Sequence, residues 1–134
     1  MDLKNFFKQI IRPVSITPPS ACQNAFLKKF KDAINVEWSE KGDLYEAVFY
    51  RHNLEHLANF TNVGTLIDYR MSLPAELIPV SVKSHLEEKG EIMNCILINR
   101  GNSLVYEAIV RDKNLNRYQV EMSELAKETA LKQL

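Results

Sequence analysis

Residues 44–48 read Leu-Tyr-Glu-Ala-Val, and residues 105–109 read Val-Tyr-Glu-Ala-Ile, so nearly the same pentapeptide occurs twice, 61 positions apart. Its residues alternate between two sides with period 2, which is typical of a half-buried β-strand. Upstream of each copy, an apolar stripe with helical spacing recurs at an offset of 60, as Pro19, Cys22, Phe26 and then Pro79, Val82, Leu86. A helix and a strand that recur at almost constant distance predict a tandem duplication of one supersecondary unit.

The repeated unit is predicted to be a helix followed by antiparallel strands. The first repeat, residues 19–72, has a helix over 20–31 and four strands, with turns at 41–43 and 62–64. The second repeat, residues 73–122, has a helix from about 79 to 89 that ends at Gly90, and three strands over 92–99, 104–111 and 115–122. Successive hairpins that follow a helix predict an α+β fold, α-β-β-β-β in each full unit, with the helices packed on one face of an antiparallel sheet.

The two ends of the chain lie outside the repeats. Residues 1–18 are predicted to be an amphipathic helix with a linker, because apolar residues share one helical face while a basic stripe lies on the other side: Leu3, Phe6, Phe7, Ile10 and Ile11 against Lys4, Lys8 and Arg12. Residues 123–134, SELAKETALKQL, are rich in strong helix formers and predict a C-terminal helix or a frayed tail. We expect residues 1–134 to form a single domain.

Composition excludes several classes of function. The chain has 134 residues, of which 46% are hydrophobic, and its 17 Lys plus Arg balance its 17 Asp plus Glu. A net charge of zero provides no general attraction to nucleic acid, and no apolar run reaches the length of a membrane span. Because residues 1–12 lack the pattern of a secretory signal, we expect a cytoplasmic location, and we regard membrane binding as the less favoured use of this helix.

Strand alternation predicts where a binding surface lies. In the first repeat, Ile34, Val36, Trp38, Tyr45, Ala47 and Phe49 are expected to face the helix, leaving Glu46, Val48 and Tyr50 among the residues on the open face. In the second repeat, Ile92, Ile96 and Ile98 are expected to face the helix. The open face then holds Met93, Cys95 and Leu97 beside Val105, Glu107 and Ile109. An apolar face of this size predicts an interface or a cover, provided by residues 1–12, by a second copy, or by another protein.

Catalytic and metal-binding patterns are sparse. His52 and His56 are separated by a turn and lack the glutamate of a helical zinc motif, while Cys22 and Cys95 form no CxxC pair. His56 is expected on the core side, and Cys22 is expected to be a small core residue. Glu46 and Glu107 occupy equivalent strand positions, which duplication explains more simply than acid–base chemistry does. We therefore expect no catalytic residue, no metal and no cofactor.

A family resemblance follows from these segments. Residues 25–30 (AFLKKF), residues 31–49 (KDAINVEWSEKGDLYEAVF) and the twofold repetition resemble the PepSY-like proteins common in Bacteroidetes. The resemblance covers about residues 18–122. It implies a two-repeat fold similar to the beta-lactamase inhibitory protein, whose sheet has one helix-covered side and one side that meets partners. It also implies binding without catalysis, and it implies an exported location, unlike the cytoplasmic expectation above.

The leading functional hypothesis is a non-catalytic module that binds an unidentified protein or peptide, in an inhibitory or regulatory role. The predicted contacts on the open face are Val48, Tyr50, Met93, Leu97 and Ile109, with Glu46 and Glu107 orienting the partner. The alternative is a homodimer that buries the same face and has no separate target, and an enzyme of unknown reaction is a weaker third hypothesis.

Overall fold

A computed structural model describes residues 16–134, and it shows two α-helices and eight β-strands in this range. Neighbouring strands within each half of the chain pair antiparallel. This confirms the predicted α+β class. The chain divides into two compact units, with the boundary between Met71 and Ser72. We call them unit 1 and unit 2. The predicted helix over residues 1–12 lies outside the described residues.

From residue 16 onward, unit 1 contains one helix followed by four strands: α1 (Ser20–Lys29), β1 (Ile34–Lys41), β2 (Leu44–Arg51), β3 (Leu54–Thr61) and β4 (Leu66–Ser72). Helix α1 begins directly after Pro19. Proline disrupts the interior of a helix but suits its start, where its missing N–H is not needed. It ends with Lys28 and Lys29, whose charges suit the negative end of the helix dipole. The strands form consecutive hairpins, and the β1–β2 turn is tight because Lys41 pairs with Leu44.

Aromatic rings fill the space between α1 and the strands of unit 1. The Phe26 ring lies 4.9 Å from that of Phe49, 5.3 Å from Phe30 and 5.5 Å from Trp38, measured between centroids. Tilted and edge-on pairs at these distances contribute about 0.5–1.5 kcal/mol each beyond the burial of their area. As predicted, Cys22 and Phe26 form the buried stripe of the helix. They pack with a core that also contains Ala47, Ala58 and Phe60.

Unit 2 repeats the order of elements. A short 3₁₀ helix, Ala75–Leu77, precedes α2 (Val80–Lys89), β5 (Glu91–Asn99), β6 (Leu104–Arg111), β7 (Arg117–Ser123) and β8 (Glu128–Gln133). The predicted stop at Gly90 is confirmed, and a side chain there would collide with the backbone carbonyl of Arg111. The core of unit 2 is aliphatic and contains sulfur, and its fully buried residues include Val82, Leu86, Cys95, Val110, Val120 and Met122.

The predicted C-terminal helix is wrong, because residues 128–133 form strand β8. The Ser123 hydroxyl oxygen accepts hydrogen bonds from the amides of Leu125 and Lys127, and Ala126 adopts φ +60°, so the chain reverses after β7. Leu131 then pairs with Val120. The helix propensity of this segment is worth only tenths of a kcal/mol per residue, and the hydrogen-bonding edge of β7 outweighs it. The fourth strand that the second repeat was predicted to lack is therefore present.

Within the described part of the chain, no helix is both long and apolar enough to cross a membrane.

Candidate functional site

The strands of unit 1 have one face against α1 and one face turned away from it, which we call outer face 1. The register places three residues of the predicted site, Glu46, Val48 and Tyr50, together on this face. Glu46 lies between Ser39 and Asn59, and Asn59 in turn pairs with Asp68 on β4. The neighbouring row of the same face holds Glu37, Val48, Leu57 and Arg70. Tyr50 pairs with Glu55 in the next row.

Ile34 does not face the helix as predicted. It pairs with Tyr50, and the register shifts between Ile34 and Glu37, where Asn35 adopts φ +54°. A β-bulge adds one residue and reverses the alternation on one side of it. Ile34 therefore lies with outer face 1 and is 60% exposed, whereas Trp38 pairs with Ala47 and faces α1 as predicted.

The centre of outer face 1 is buried, which a solvated sheet face would not be. Val48 is 3% exposed, Leu57 is 8% exposed and Glu46 is 6% exposed. Glu55 is also buried, and the Tyr50 hydroxyl donates a hydrogen bond to its carboxylate at 3.4 Å. Helix α1 packs on the opposite face and cannot account for this burial.

A polar network crosses the buried centre of this face. The Asn59 amide nitrogen donates to Asp68 Oδ1 at 2.8 Å, and Arg70 Nη2 lies 3.9 Å from Asp68 Oδ2. Asn59 Oδ1 and Arg70 Nε are buried and make no hydrogen bond to any residue in the range 16–134. Such atoms are rare in native proteins, since each one costs about 1–3 kcal/mol when it is left unsatisfied. The network is therefore incomplete within the described chain.

Burial also alters the chemistry of Glu46. Desolvation raises the pKa of its carboxyl group, and nearby Lys41 and Arg70 only partly offset this effect. The Lys41 ammonium lies 4.0 Å from the carboxylate but is itself largely exposed, so this ion pair is weak. Glu46 is thus a buried acid that favours its neutral form more than an ordinary glutamate does.

Sequence reasoning missed the partners of Glu46 on this face, namely Glu55, Leu57, Asn59, Asp68 and Arg70. A usable signal was present in β3, because alternate residues from Glu55 to Asn59 must share a face once β3 pairs with β2. His56 and Ala58 lie between them on the other side. His56 is buried and stacks on Phe49 with ring centroids 5.1 Å apart, which confirms the core placement predicted for it.

The corresponding surface of unit 2, turned away from α2, is outer face 2. Here the predicted set of residues is corrected. Cys95 pairs with Ala108 and Leu97 pairs with Tyr106, so both lie on the helix side, while Ile96 pairs with Glu107. Contacts made by α2 identify the helix side of the sheet. Its residues His85 and Lys89 contact Glu128, and Glu128 is paired with Met122, so the side of the sheet that holds these two residues faces the helix.

The cause of this error is the length of one hairpin loop. Lys41 pairs with Leu44 in unit 1, but the matching loop of unit 2 has four residues between Asn99 and Leu104. Counted from the matching pairs Lys41–Leu44 and Ile98–Val105, this hairpin is four residues longer in unit 2, whereas the offsets of 60 and 61 assumed one. Trp38 therefore corresponds to Cys95 and not to Ile98, and a shift of three residues, being odd, moves every side chain of the strand to the other face. Met93 sits within the register shift between Ile92 and Asn94, 38% exposed, and is not aligned with Leu97.

Outer face 2 is still apolar in part. It holds Ile96, Ile98, Val105 and Ile109 around Glu107. Of the seven predicted contact residues, Glu107 and Ile109 therefore share outer face 2, three share outer face 1, Met93 is at a bulge, and Leu97 lies on the helix side.

Among the described residues, the other reactive side chains do not assemble into a catalytic or metal-binding centre. Cys22 and Cys95 are buried and not disulfide-bonded, and burial raises the pKa of Cys95 to about 12, which keeps it protonated. His52 contacts Asp32 at 3.0 Å on the surface, while His56 is buried elsewhere in unit 1. Over residues 16–134, no three His, Cys, Asp or Glu side chains are placed to hold a metal ion.

Comparison with solved structures identifies the same fold in proteins of Bacteroides. A BLIP-like protein from Bacteroides fragilis is similar with a TM-score of 0.80 and 18% identity, over 90% of this chain and 89% of that one. A DUF2874 family protein from Bacteroides ovatus has a TM-score of 0.81 and 17% identity, over 89% of each chain. A Bacteroides eggerthii protein, provisionally described as periplasmic, has a TM-score of 0.79 and 16% identity, over 88% of this chain and 90% of that one.

These likenesses support the BLIP-like fold that the sequence resemblance implied. At such identities they show the fold alone. No family model and no curated protein matches the sequence.

Proposed function

We propose that this protein is a non-catalytic protein-binding module that contacts its partner through the sheet faces turned away from its helices. The observation that carries the proposal is the incomplete polar network of outer face 1. Asn59 Oδ1 and Arg70 Nε are buried without a hydrogen-bond partner among residues 16–134, next to the apolar side chains of Val48 and Leu57. Apolar anchors surrounded by polar groups that need partners are what the core of a protein interface provides.

Outer face 2, on unit 2, is a second candidate contact surface in its own right. Ile109 and Val105 are only partly buried, and Glu107 lies between them on the strand. Its cross-strand neighbour is Glu121, so two carboxylates are directly opposite each other. Like charges in this position repel, and a cationic group of a partner would relieve the repulsion. We therefore propose a partner with basic side chains, and Glu107 as the residue that orients it.

The relatives support the binding hypothesis over an enzymatic one. The Bacteroides fragilis protein is described as BLIP-like, and the resemblance noted in the sequence is to proteins that bind through an open sheet. We retain PepSY-like membership, an origin by tandem duplication, and the absence of enzymatic activity as parts of this proposal. The provisional periplasmic description of the Bacteroides eggerthii protein favours an exported location over the cytoplasmic one.

The test uses a photo-crosslinking amino acid, benzoylphenylalanine, placed at Ile109 of the full chain. The matched control carries it at Val80, which is 80% exposed and begins α2. Both proteins are irradiated in extract of the source organism. We expect a discrete protein to be captured from Ile109 and not from Val80. The captured protein is identified by mass spectrometry and then purified.

Affinity for the purified partner is then measured by calorimetry. Ile109→Lys is expected to weaken binding at least tenfold, whereas Leu115→Lys in an exposed turn leaves it unchanged, with melting temperatures confirming that both variants fold. Equal capture from both positions, or equal affinity of the Ile109 variant, overturns the proposal. Capture of a second copy of this chain, with a dimer in light scattering, replaces it by the homodimer alternative.

A further inference from the structure

We propose that strand β8 is a dimerisation edge, at which β8 of one copy pairs antiparallel with β8 of a second copy about a twofold axis at Leu131. The proposal goes beyond the proposed function and does not depend on it, because the joint lies at the edge of unit 2 and leaves outer face 2 uncovered. It also differs from the homodimer alternative, in which the open face of the sheet is itself buried.

The first argument is that β8 presents an open edge. Within residues 16–134, β8 stands last in the strand order and pairs with β7. All six of its residues are exposed, and Leu131 is 50% exposed although it pairs with the fully buried Val120. An edge strand with exposed amide and carbonyl groups is a template for another strand. Strand β8 therefore has both the backbone and an apolar side chain available for a further strand.

The hydrogen bonds of β8 show which backbone groups such a strand would meet. The Leu134 amide donates to the Arg117 carbonyl oxygen, so residue 134 directs its backbone groups toward β7. In an antiparallel pair this direction alternates from residue to residue. The backbone groups of Lys132 therefore also point toward β7, whereas those of Leu131 and Gln133 point away from it. A strand placed along this edge would bond to Leu131 and Gln133.

The edge strand of unit 1 offers a contrast. A bulge interrupts the pairing of β1 near its start, and the Trp38 carbonyl oxygen accepts a hydrogen bond from the Ile16 amide at 3.2 Å. Bulges and covering segments are devices that keep a sheet edge from pairing with other molecules. The register of β8, by contrast, is regular from Ala130 to Gln133. The edge of unit 1 is thus protected at positions where the edge of unit 2 is open.

The side chains of β8 favour a second copy of the same strand in one register. In a twofold pairing centred on Leu131, the two Leu131 side chains face each other on the helix side, and Ala130 of one copy faces Lys132 of the other. A centre one residue later would place two Lys132 ammonium groups directly opposite each other, which is unfavourable. A centre one residue earlier would fall beside Thr129, where the register with β7 shifts. The strand is therefore complementary to itself at Leu131.

The first test is disulfide cross-linking of the full chain. Leu131→Cys is compared with Gln133→Cys, which lies on the same edge and the same side of β8. In the proposed register, the Cα atoms of two residues 131 lie about 5.5 Å apart, within disulfide reach, whereas two residues 133 lie about 14 Å apart along the strands. The native Cys22 and Cys95 are buried and do not interfere.

Both variants are oxidised with glutathione at the same protein concentration, and the products are separated without reductant. We expect at least tenfold more disulfide-linked dimer from Leu131→Cys than from Gln133→Cys. Equal yields, or a greater yield from Gln133→Cys, overturn the proposal.

The second test is sedimentation equilibrium of the protein without cross-links. Leu131→Lys places two ammonium groups opposite each other at the centre of the joint, and we expect it to raise the dimer dissociation constant at least tenfold. Leu125→Lys is the matched control, because Leu125 is 77% exposed in the turn before β8, and it should leave the constant unchanged. Melting temperatures show that both variants fold.

We expect a reversible, concentration-dependent dimer, because a joint of this size falls below the area of about 1,200 Å² that is typical of stable complexes. A wild type that remains monomeric up to about 1 mM overturns the proposal and would leave the edge to a strand of another protein. Equal dissociation constants for wild type and Leu131→Lys overturn it as well.

The failure of this proposal is distinguishable from failure of the proposed function. Ile109 is in β6, which β7 and β8 separate from the joint, so a β8 dimer does not bring the second copy to a probe at Ile109. A dimer that is sensitive to Leu131→Lys, with nothing captured at Ile109, supports the edge and contradicts the proposed function. A dimer that survives Leu131→Lys and is captured at Ile109 overturns the edge in favour of the homodimer alternative.

Discussion

Strands β2 and β6 contain the same Tyr-Glu-Ala sequence, but their glutamates lie in different surroundings. Glu46 is buried opposite Asn59 and beside a network that includes Asp68, and burial raises the pKa of its carboxyl group. Glu107 is only partly buried and lies opposite a second carboxylate, that of Glu121. The local sequence sets which face a side chain occupies, but the strands on either side set its dielectric environment and its charge.

The helix sides of the two units differ in the same way. At matching positions, unit 1 has Phe26, Phe49 and His56, whereas unit 2 has Leu86, Val110 and Tyr118. One arrangement of backbone thus accommodates a core of stacked rings and a core of aliphatic and sulfur-containing side chains. We expect the aromatic core to depend more strongly on single residues, because one ring there contacts several others.

The largest expected effect tests that difference at the centre of each core. Phe26→Ala removes a ring that contacts four others, those of Phe30, Trp38, Phe49 and Phe60. We expect it to lower the free energy of unfolding by about 4 kcal/mol, against about 3 kcal/mol for Leu86→Ala. Urea denaturation of both variants measures the two losses. A larger loss at Leu86 would contradict the comparison.

The next prediction concerns His56, whose pKa burial lowers to about 4. Well above pH 6.5, the ordinary pKa of histidine, the imidazole is neutral in both the folded and the unfolded state. Below that pH the unfolded chain takes up a proton that the native chain does not, so stability falls as the pH drops toward 4. Between pH 7.5 and 5.0 this loss is about 2 kcal/mol.

The measurement compares urea denaturation at these two pH values for wild type and His56→Phe. The variant should lack the 2 kcal/mol component, while His85→Phe, at a partly exposed helix position, should keep it. An identical pH dependence in wild type and His56→Phe would show that His56 is not the source.

The smallest expected effect compares the two glutamates directly. Because the folded pKa of Glu46 is raised, its ionised form costs stability at neutral pH, and stability increases as the pH falls through that pKa. Glu46→Gln should therefore raise the free energy of unfolding at pH 7.5. It should also reduce the further increase in this free energy that wild type shows when the pH is lowered. The increase in the free energy of unfolding caused by the substitution at pH 7.5 stays under about 1 kcal/mol, because the ion pair with Lys41 is lost at the same time.

Glu107→Gln is the matched substitution in unit 2, and thermal unfolding at pH 7.5 and 5.0 measures both variants. We expect the less buried Glu107 to give the smaller change. If it gives the larger change, the burial of Glu46 is not what distinguishes the two faces.

The sequence alone determined the elements that repeat. The Pro-led helices, the Tyr-Glu-Ala strands and the inward positions of Trp38 and His56 follow from local periodicity, since side chains alternate strictly along a strand. The alternation also placed Glu46, Val48 and Tyr50 on one face without knowledge of any neighbour. Strand pairing, by contrast, assigned Cys95 and Leu97 to the helix side, because a longer hairpin loop shifts the register by an odd number of residues.

Tertiary structure decided what no local pattern could. Residues 128–133 became strand β8 because β7 provided an edge to pair with, and hydrogen bonds between strands outweigh a small helix propensity. The candidate site arose in the same way. Asn59, Asp68 and Arg70 join Glu46 only when β2, β3 and β4 lie side by side. Alternation is a property of one strand, whereas register and burial are properties of several strands together. Local periodicity therefore placed Glu46, Val48 and Tyr50 on one face, but it did not reveal which residues of the neighbouring strands join them.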